Sequence, residues 1–280
     1  MTPILGIDVS KWNWPRGIPP SQYPRLESAG VRFVIGRASV GHEVDTSFVN
    51  NVERTTNRGW VAGAYHFLEH GEGKGQADLF VKRCRVAWGD HQCDGLLMAL
   101  DVELTSRNHV DWQDVREFVA RFRILMPRHP LGIYSNRGSW LALGSHDAAQ
   151  WFDWEFQALY SVHGQKPPVE LPPHPPRGFG GLPAPLWQWG PLLVDGHRLD
   201  GDAFYGTGAE LRKLGKVANP TPVNERPAYR AGYAESLGLV RAAIGTMSAK
   251  HDAGHPAYAV GSRAALDDAD DAVAALGLTG

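Results

Sequence analysis

The sequence predicts an α/β protein built around a closed (β/α) barrel and followed by a pair of C-terminal helices. Short apolar segments alternate with helical segments, which is typical of strands joined by helices in a parallel sheet. The chain of 280 residues is long enough to close such a barrel and leave a remainder. Several apolar segments end in a polar side chain, and barrels of this kind carry their chemistry at the carboxyl ends of the strands.

Each predicted element rests on its own local pattern. Apolar runs bounded by turn-forming residues predict strands at residues 4–7, 33–38, 61–67, 96–103, 131–134, 156–160, 186–189 and 199–204. Gly30 ends a short helix that begins at Tyr23, and Gly59 ends a helix that begins near Asp45. Two further helices are predicted at 75–88 and after Asp111, where apolar residues recur at helical spacing until Pro127.

Two carboxylates follow the apolar run that begins at Leu96. Asp101 and Glu103 lie two residues apart, so they share one face of a strand, and neighbouring acids tend to have separated pKa values. One can then keep its proton as a general acid while the other stays ionised. A single D-x-E pair is more often a solvated strand end. Polar residues at the ends of several strands are harder to explain in that way, namely Asp8, His66, Asp101, Glu103 and Tyr134.

Composition narrows the classes of partner. The formal charge of −2 gives no reason to expect nucleic acid or an acidic membrane surface, and no segment is long and apolar enough to cross a bilayer. Ten tryptophans predict either stacking on sugar rings or a Trp-rich core. Cys84 and Cys93 are too far apart for a C-x-x-C site, so they either form a disulfide or stay as two free thiols.

A set of motifs spread over roughly residues 4 to 206 resembles glycoside hydrolase family 25, the muramidases of bacteria and phages. The motifs are Asp8-Val9-Ser10, residues 33–38, residues 63–67, Gln76-Ala77-Asp78, Asp101-Val102-Glu103, residues 133–136, Trp187-Gln188-Trp189 and Asp200. The resemblance implies an irregular (β/α) barrel of about eight strands with fewer helices than strands. It also implies peptidoglycan as the substrate, cut at the β-1,4 bond between N-acetylmuramic acid and N-acetylglucosamine, without a cofactor.

The resemblance also assigns roles to single residues. Glu103 matches the general acid, and Asp101, Asp8 and Asp200 match the other acids of the site. Because Asp101 shares a strand face with Glu103, it is poorly placed to attack the sugar from the opposite side, which favours a retaining, substrate-assisted route. The predicted substrate-binding residues are Tyr65, His66, Tyr134, Trp187, Gln188 and Trp189. Core packing is the alternative for each aromatic residue.

One position departs from the family pattern. The family often has Asn two residues after the last acid, and this chain has Asp202. Asp202 either adds negative charge beside Asp200 or points outward, since the motif lies at a strand end where the chain turns.

The predicted organisation is a catalytic barrel over residues 1–215, a linker over 216–228 and a helical tail over 229–280. A Pro-rich stretch at 164–185 is interpreted as a stiff loop at the rim of the site. Apolar residues at spacings of three and four predict two helices in the tail. A pair this small needs a partner, which is the barrel itself, a second copy, or a virion or wall component.

Three functions from different classes follow. The first is an active muramidase used for phage-type lysis or wall penetration. Because Met1-Thr2-Pro3 leads directly into a strand, we expect no signal peptide, synthesis in the host cytoplasm, and action on the cell wall, with a virion-associated role as a variant. The second is a catalytically silent sugar-binding barrel. The third is a metal-dependent polysaccharide deacetylase, which would need several His and carboxylate ligands and is disfavoured against the muramidase.

Overall fold

An eight-stranded closed barrel forms the centre of the computed structural model, which describes residues 2–144, 147–160, 171, 174–182 and 184–217. The strands are β1 (Ile4–Val9), β2 (Val31–Val40), β3 (Glu43–Val44), β4 (Val61–Phe67), β5 (Leu97–Asp101), β6 (Gly132–Asn136), β7 (Trp154–Ala158), β8 (Leu186–Val194) and β9 (His197–Phe204). The α-helices are α1 (Tyr23–Ser28), α2 (Phe48–Thr56), α3 (Gly73–Trp88), α4 (Trp112–Leu125), α5 (Arg137–Ala142) and α6 (Gly208–Lys213). Short 3-10 helices cover Pro20–Gln22 and Ala148–Gln150.

The barrel closes because β1 pairs with β9 on one side and with β2 on the other. The short β3 only extends the end of β2. This confirms the predicted barrel of about eight strands. The expectation of an all-parallel sheet is wrong for β9, which runs antiparallel to both β1 and β8. Asp195 and Gly196 connect β8 to β9 with positive φ angles of 51° and 77°, the backbone that a tight hairpin requires.

Helices cover one side of the barrel more thickly than the other. The helices α2, α3 and α4 pack outside β2, β4, β5 and β6 around buried Phe80, Phe118 and Phe122. Helix α4 begins after Asp111 as predicted, because Asp111 and Asp114 cap each other's backbone N–H groups. A second outer cluster lies against β1, β8 and β9 and is rich in Trp and Tyr.

The inner face of the barrel is filled rather than hollow. Phe33, Ile35, Phe156, Leu186 and Phe204 form a buried apolar cluster inside the strands. Polar side chains lie beyond this cluster, toward the carboxyl ends of the parallel strands. The apolar layer therefore closes one end of the barrel and leaves a cleft at the other.

Several predictions concern residues outside this description. The predicted helices at 229–280, the linker beyond Val217 and much of the Pro-rich stretch at 164–185 lie outside the described residues. Within the described part of the chain, Cys84 and Cys93 are free thiols buried in the core. In that same part, no helix has the length and apolarity needed to cross a bilayer.

Candidate active site

A cleft of about 220 Å³ opens where the parallel strands end. Its lining is polar and aromatic, and it contains four carboxylates and one arginine. The lining residues are Asp8, Arg37, Tyr65, Phe67, Asp101, Glu103, Tyr134, Phe156, Tyr160, Gln188 and Asp200. The structure thus brings together the four predicted acids and three of the predicted binding residues, Tyr65, Tyr134 and Gln188.

The four acids form two pairs on opposite sides of the barrel. Asp101 is the last residue of β5, and Glu103 follows two residues later. Asp8 on β1 lies directly across from Asp200 on β9. Between β5 and β9 lie β6, β7 and β8 in one direction and β4, β2 and β1 in the other. A chain threaded through the cleft would therefore meet carboxylates from two sides.

Glu103 has the properties of a proton donor. It is partly buried, and this burial raises its pKa above the ordinary value for a glutamate. The Tyr134 hydroxyl, 3.4 Å from Oε1, opposes the rise in pKa, and the negative charge of Asp200 adds to it. A carboxyl whose pKa is raised toward neutrality can protonate a leaving group.

Asp101 lies deeper in the cleft than Glu103, and one of its carboxylate oxygens lacks a hydrogen bond in the described part of the chain. Only 6% of its surface is exposed, and no donor among the described residues reaches Oδ1. Burial raises the pKa of Asp101 well above its ordinary value, and the charges of Glu103 and Asp8 raise it further, while Arg37 opposes the shift. An unsatisfied acceptor in a cleft is available to bind a donor on a ligand.

Gln188 connects Asp8 to two phenols. Its Oε1 accepts hydrogen bonds from the hydroxyls of Tyr134 at 2.8 Å and Tyr160 at 2.6 Å. Its Nε2 donates to Oδ2 of Asp8 at 2.6 Å. Because both phenols donate to the amide oxygen, the amide nitrogen is directed at Asp8.

Arg37 is a cleft residue that the sequence reasoning missed. Its Nε donates to Oδ2 of Asp45 at 3.0 Å, and both side chains are buried. Asp45 also accepts the backbone N–H groups of Lys11 and Ser47, so the ion pair is fixed in place. Nη2 of Arg37 is buried with no hydrogen-bond partner among the described residues. Phe67, Phe156 and Tyr160 were also missed, although Tyr160 closes a predicted strand just as Tyr134 does.

His66 does not reach the cleft, so its predicted role in substrate binding is wrong. It lies fully buried on the outer face of β4, between Ser39 Oγ at 2.8 Å and Gln76 Oε1 at 3.0 Å, and stacks on Phe118. Burial lowers the pKa of His66 to about 3, although the hydrogen bond that its Nε2–H donates to Gln76 opposes this shift. Its neighbour Tyr65 faces the cleft because successive side chains point to opposite faces of a strand.

Trp187 and Trp189 also lie on the outside, so the prediction that they line the groove is wrong. Both are buried in the outer cluster against β1, β8 and β9. The indole N–H of Trp187 donates to the backbone oxygen of Leu159 at 2.8 Å. The physical reason is again strand alternation, since Gln188 between them occupies the inner face.

Asp202 points inward, so the alternative in which it points outward is wrong. It pairs with Gly6 of β1 and Gln188 of β8, on the same inner face as Asp200, and none of its surface is exposed. Burial raises the pKa of Asp202 well above its ordinary value, and the charges of Asp8 and Asp200 add to the rise.

One group among the described residues has the composition of a metal site, away from the cleft. His70, Asp111 and Asp114 lie together at the start of α4. The Asp114 oxygens already accept the backbone N–H groups of Gly71 and Asp111, and His70 lies 2.9 Å away. These hydrogen bonds account for the cluster as a helix cap.

Comparisons with known proteins agree with one another. The family model described as Glycosyl hydrolases family 25 matches residues 7–170. The N,O-diacetylmuramidase of a Chalaropsis species is 28% identical over 153 residues, which cover 49% of this chain and 68% of that protein.

Solved structures of a muramidase and a lysozyme have a similar fold to this chain. The muramidase from Trichobolus zukalii superposes with a TM-score of 0.58 at 26% identity and covers 77% of this chain and 100% of its own. The lysozyme from Streptomyces coelicolor shares the fold with a TM-score of 0.58 at 24% identity, over 77% of this chain and 98% of its own. The family model spans more than half of the sequence, and the chain belongs to glycosyl hydrolases family 25.

Proposed function

We propose that this glycoside hydrolase is a muramidase that cuts peptidoglycan at the β-1,4 bond between N-acetylmuramic acid and N-acetylglucosamine. Membership of the family and the muramidase relatives support this assignment. The observation that carries it is the position of Glu103, a partly buried acid with a raised pKa that shares a cleft with the Asp8 and Asp200 pair from the opposite wall.

Glu103 acts first as the general acid. Its proton passes to the glycosidic oxygen as the bond from that oxygen to the anomeric carbon breaks. The Tyr134 hydroxyl lies 3.4 Å from Oε1 of Glu103 and can turn its single O–H from Gln188 to the carboxylate that remains. Glu103 then takes a proton from the water that completes hydrolysis.

The substrate supplies the nucleophile in this scheme. Asp101 ends β5 and Glu103 follows two residues later, so both extend from the same wall of the cleft and Asp101 is poorly placed for attack from the opposite side. The acetamido oxygen of the substrate instead forms a bond to the anomeric carbon, and water later opens the resulting ring. Each step inverts the anomeric centre, and the two together give retention. Asp200 on the opposite wall, or the unsatisfied Oδ1 of Asp101, orients the acetamido N–H.

The biological setting that we propose is phage-type lysis or wall penetration. The resemblance to the muramidases of bacteria and phages supports it. Expression of the chain in a bacterium with and without a pore-forming partner tests this setting, and lysis should require the pore. Lysis without the pore, or none in either case, would contradict it.

The enzymatic test uses purified protein and isolated peptidoglycan. A muramidase releases fragments with reducing muramic acid, which mass spectrometry identifies. A silent sugar-binding barrel releases no fragments, and a deacetylase frees acetate without shortening the glycan. Release of acetate alone, or no product from a folded protein, would refute the proposal.

The stereochemical outcome tests the mechanism separately. Proton NMR of the first-formed product should show the β-anomer, because the proposed route retains configuration. An α-anomer before mutarotation would establish inversion and remove the substrate-assisted step. Cleavage at the same bond would still stand in that case.

A further inference from the structure

Asp202 lies one step deeper in the barrel than the acids that line the cleft. Along β9, Asp200 faces Asp8 on β1, and Asp202 faces Gly6. Residues two apart on a strand share a face, so Asp202 extends the wall of the site toward the apolar interior that includes Phe204. Asp202 therefore lies beneath the residues that line the cleft and is not part of the lining itself.

Nothing among the described residues compensates a negative charge on Asp202. It has 0% exposure, and neither carboxyl oxygen receives a hydrogen bond from an N–H or from a hydroxyl. The charges that act on it are those of Asp8 and Asp200, which are both negative. A buried carboxylate without a donor or a cation costs several kcal/mol, so the carboxyl group keeps its proton.

Asp8 is placed to accept the proton of Asp202. The two residues lie on neighbouring strands, one diagonal step apart and on the same inner face, because Asp202 is opposite Gly6 and Asp8 is opposite Asp200. Burial raises the pKa of Asp8, and the charge of Asp200 adds to the rise, but the hydrogen bonds from Gln188 and Asp202 lower it. Asp8 accepts the amide N–H of Gln188 at 2.6 Å, whereas neither oxygen of Asp202 accepts a hydrogen bond from the described residues, so Asp8 is the acid that ionises first.

We propose that Asp202 is a positioning residue whose carboxylic O–H donates to Asp8 and, together with the amide of Gln188, holds Asp8 as an oriented carboxylate beside the cleft. The inference rests on the proposed function, in which Asp8 belongs to the reacting site. Two donors from two different strands, β8 and β9, then fix the Asp8 side chain. The buried pair carries one negative charge instead of two, which limits repulsion in a cleft that also contains Asp200 and Glu103.

A pH dependence follows from this arrangement. At high pH Asp202 loses its proton, so Asp8 loses a donor and gains a negative neighbour. The titratable groups that act on Asp202 are Asp8 on β1 and Asp200 on its own strand, and β8 contributes the neutral amide of Gln188. Glu103 acts on Asp8 from across the cleft. An asparagine at position 202 would donate to Asp8 at every pH.

The experiment compares the full-length wild type with Asp202→Asn and Asp202→Ala, and uses the exposed Asp78→Asn as the matched control. For peptidoglycan hydrolysis, Asp202→Asn should keep kcat within about threefold at neutral pH and lose part of the alkaline decline. Asp202→Ala should lower kcat by about tenfold or more while KM changes by less than about threefold, because a hydrogen bond to a charged group is lost. Asp78→Asn should behave like the wild type.

Infrared difference spectroscopy gives a readout that does not need activity. The wild type and Asp78→Asn should show the C=O band of a neutral carboxylic acid at neutral pH, and Asp202→Asn should lack that component. An unchanged band in Asp202→Asn, or an alkaline decline identical to that of the wild type, would overturn the inference. If Asp202→Ala does not fold, these two measurements still decide. If the wild type does not cut peptidoglycan, the proposed function fails, while the infrared band still shows whether Asp202 holds the proton.

Discussion

The inner and outer faces of the barrel strands bury their polar side chains in different ways. On the outer face, both ring nitrogens of His66 have partners, and the indole N–H of Trp187 has a backbone acceptor. On the inner face, Asp101 and Arg37 leave polar atoms buried without a partner among the described residues. Satisfied groups stabilise a fold, whereas unsatisfied groups cost stability and are available to a ligand. Gln157 Oε1 and Trp189 Nε1, on the outer face, also lack a partner within the described ranges, but they lie outside the cleft, so only the unpaired groups of the inner face can meet a ligand there.

Among the substitutions that test this difference between the two faces, Glu103→Gln is expected to have the largest effect. The amide has nearly the same shape but no proton to donate, so kcat should fall by about a hundredfold to ten-thousandfold. Binding of glycan fragments, measured by calorimetry, should change little. Glu53→Gln on the exposed surface of α2 is the control and should keep full activity. Wild-type kcat in Glu103→Gln would exclude Glu103 as the acid.

The next effect concerns His66 on the outer face. Its pKa in the folded protein is about 3, below the ordinary value of about 6.5, so the unfolded chain binds a proton more readily. The stabilising contribution is complete above about pH 6.5 and is lost as the pH falls toward about 3, and at about pH 5 the loss is about 2 kcal/mol. Urea unfolding at several pH values should therefore show a flatter acid dependence in His66→Gln than in the wild type.

The control for His66 is the exposed His91, where the substitution His91→Gln should leave the pH dependence of unfolding unchanged. Activity at neutral pH, in both variants, should match that of the wild type. A parallel acid dependence in His66→Gln and the wild type would show that His66 accepts its proton while buried.

A smaller effect compares two glutamines on neighbouring strands. Gln188→Leu on the inner face removes the amide donor to Asp8, and a hydrogen bond to a charged group contributes about 1.5 to 3 kcal/mol. We therefore expect kcat to fall by about tenfold or more. Gln157→Leu on the outer face of β7 should keep the wild-type kcat, since Gln157 has an unsatisfied oxygen and lies outside the cleft lining. Equal losses in both variants would remove the distinction between the faces.

The sequence predicted where along the strands the acids lie better than it predicted to which face of the strand the neighbouring side chains point. A carboxylate directly after an apolar run is costly to bury, so Asp8 and Asp101 marked the ends of β1 and β5. Asp200 was also predicted at a strand end, but it lies within the antiparallel β9. Inside a barrel both faces of a strand are buried, and the apolar pattern then carries little information on which face is inner. This is why His66 was predicted beside Tyr65, and why the two tryptophans were predicted beside Gln188.

Two other features differ in whether the sequence carried a signal for them. The antiparallel β9 had one, since Asp195-Gly196 is typical of a two-residue hairpin, whereas the alternation of strands and helices along the chain predicts a parallel strand. Arg37 had none, because a single basic residue at a strand end is equally typical of a solvated one. Its burial depends on Asp45, a tertiary contact that the local sequence does not encode.

Trp187→Phe is expected to have the smallest effect and tests the role of the outer face of the barrel. Phenylalanine keeps most of the packing in the outer cluster but loses the hydrogen bond to Leu159, so the free energy of unfolding should fall by about 1 to 2 kcal/mol. The control Trp12→Phe, at a side chain that is 79% exposed, should change stability by less than about 0.5 kcal/mol. Both variants should keep the wild-type kcat and KM on peptidoglycan. A rise in KM for Trp187→Phe without loss of stability would mean that this indole contacts the glycan, and the outer face would then share in binding.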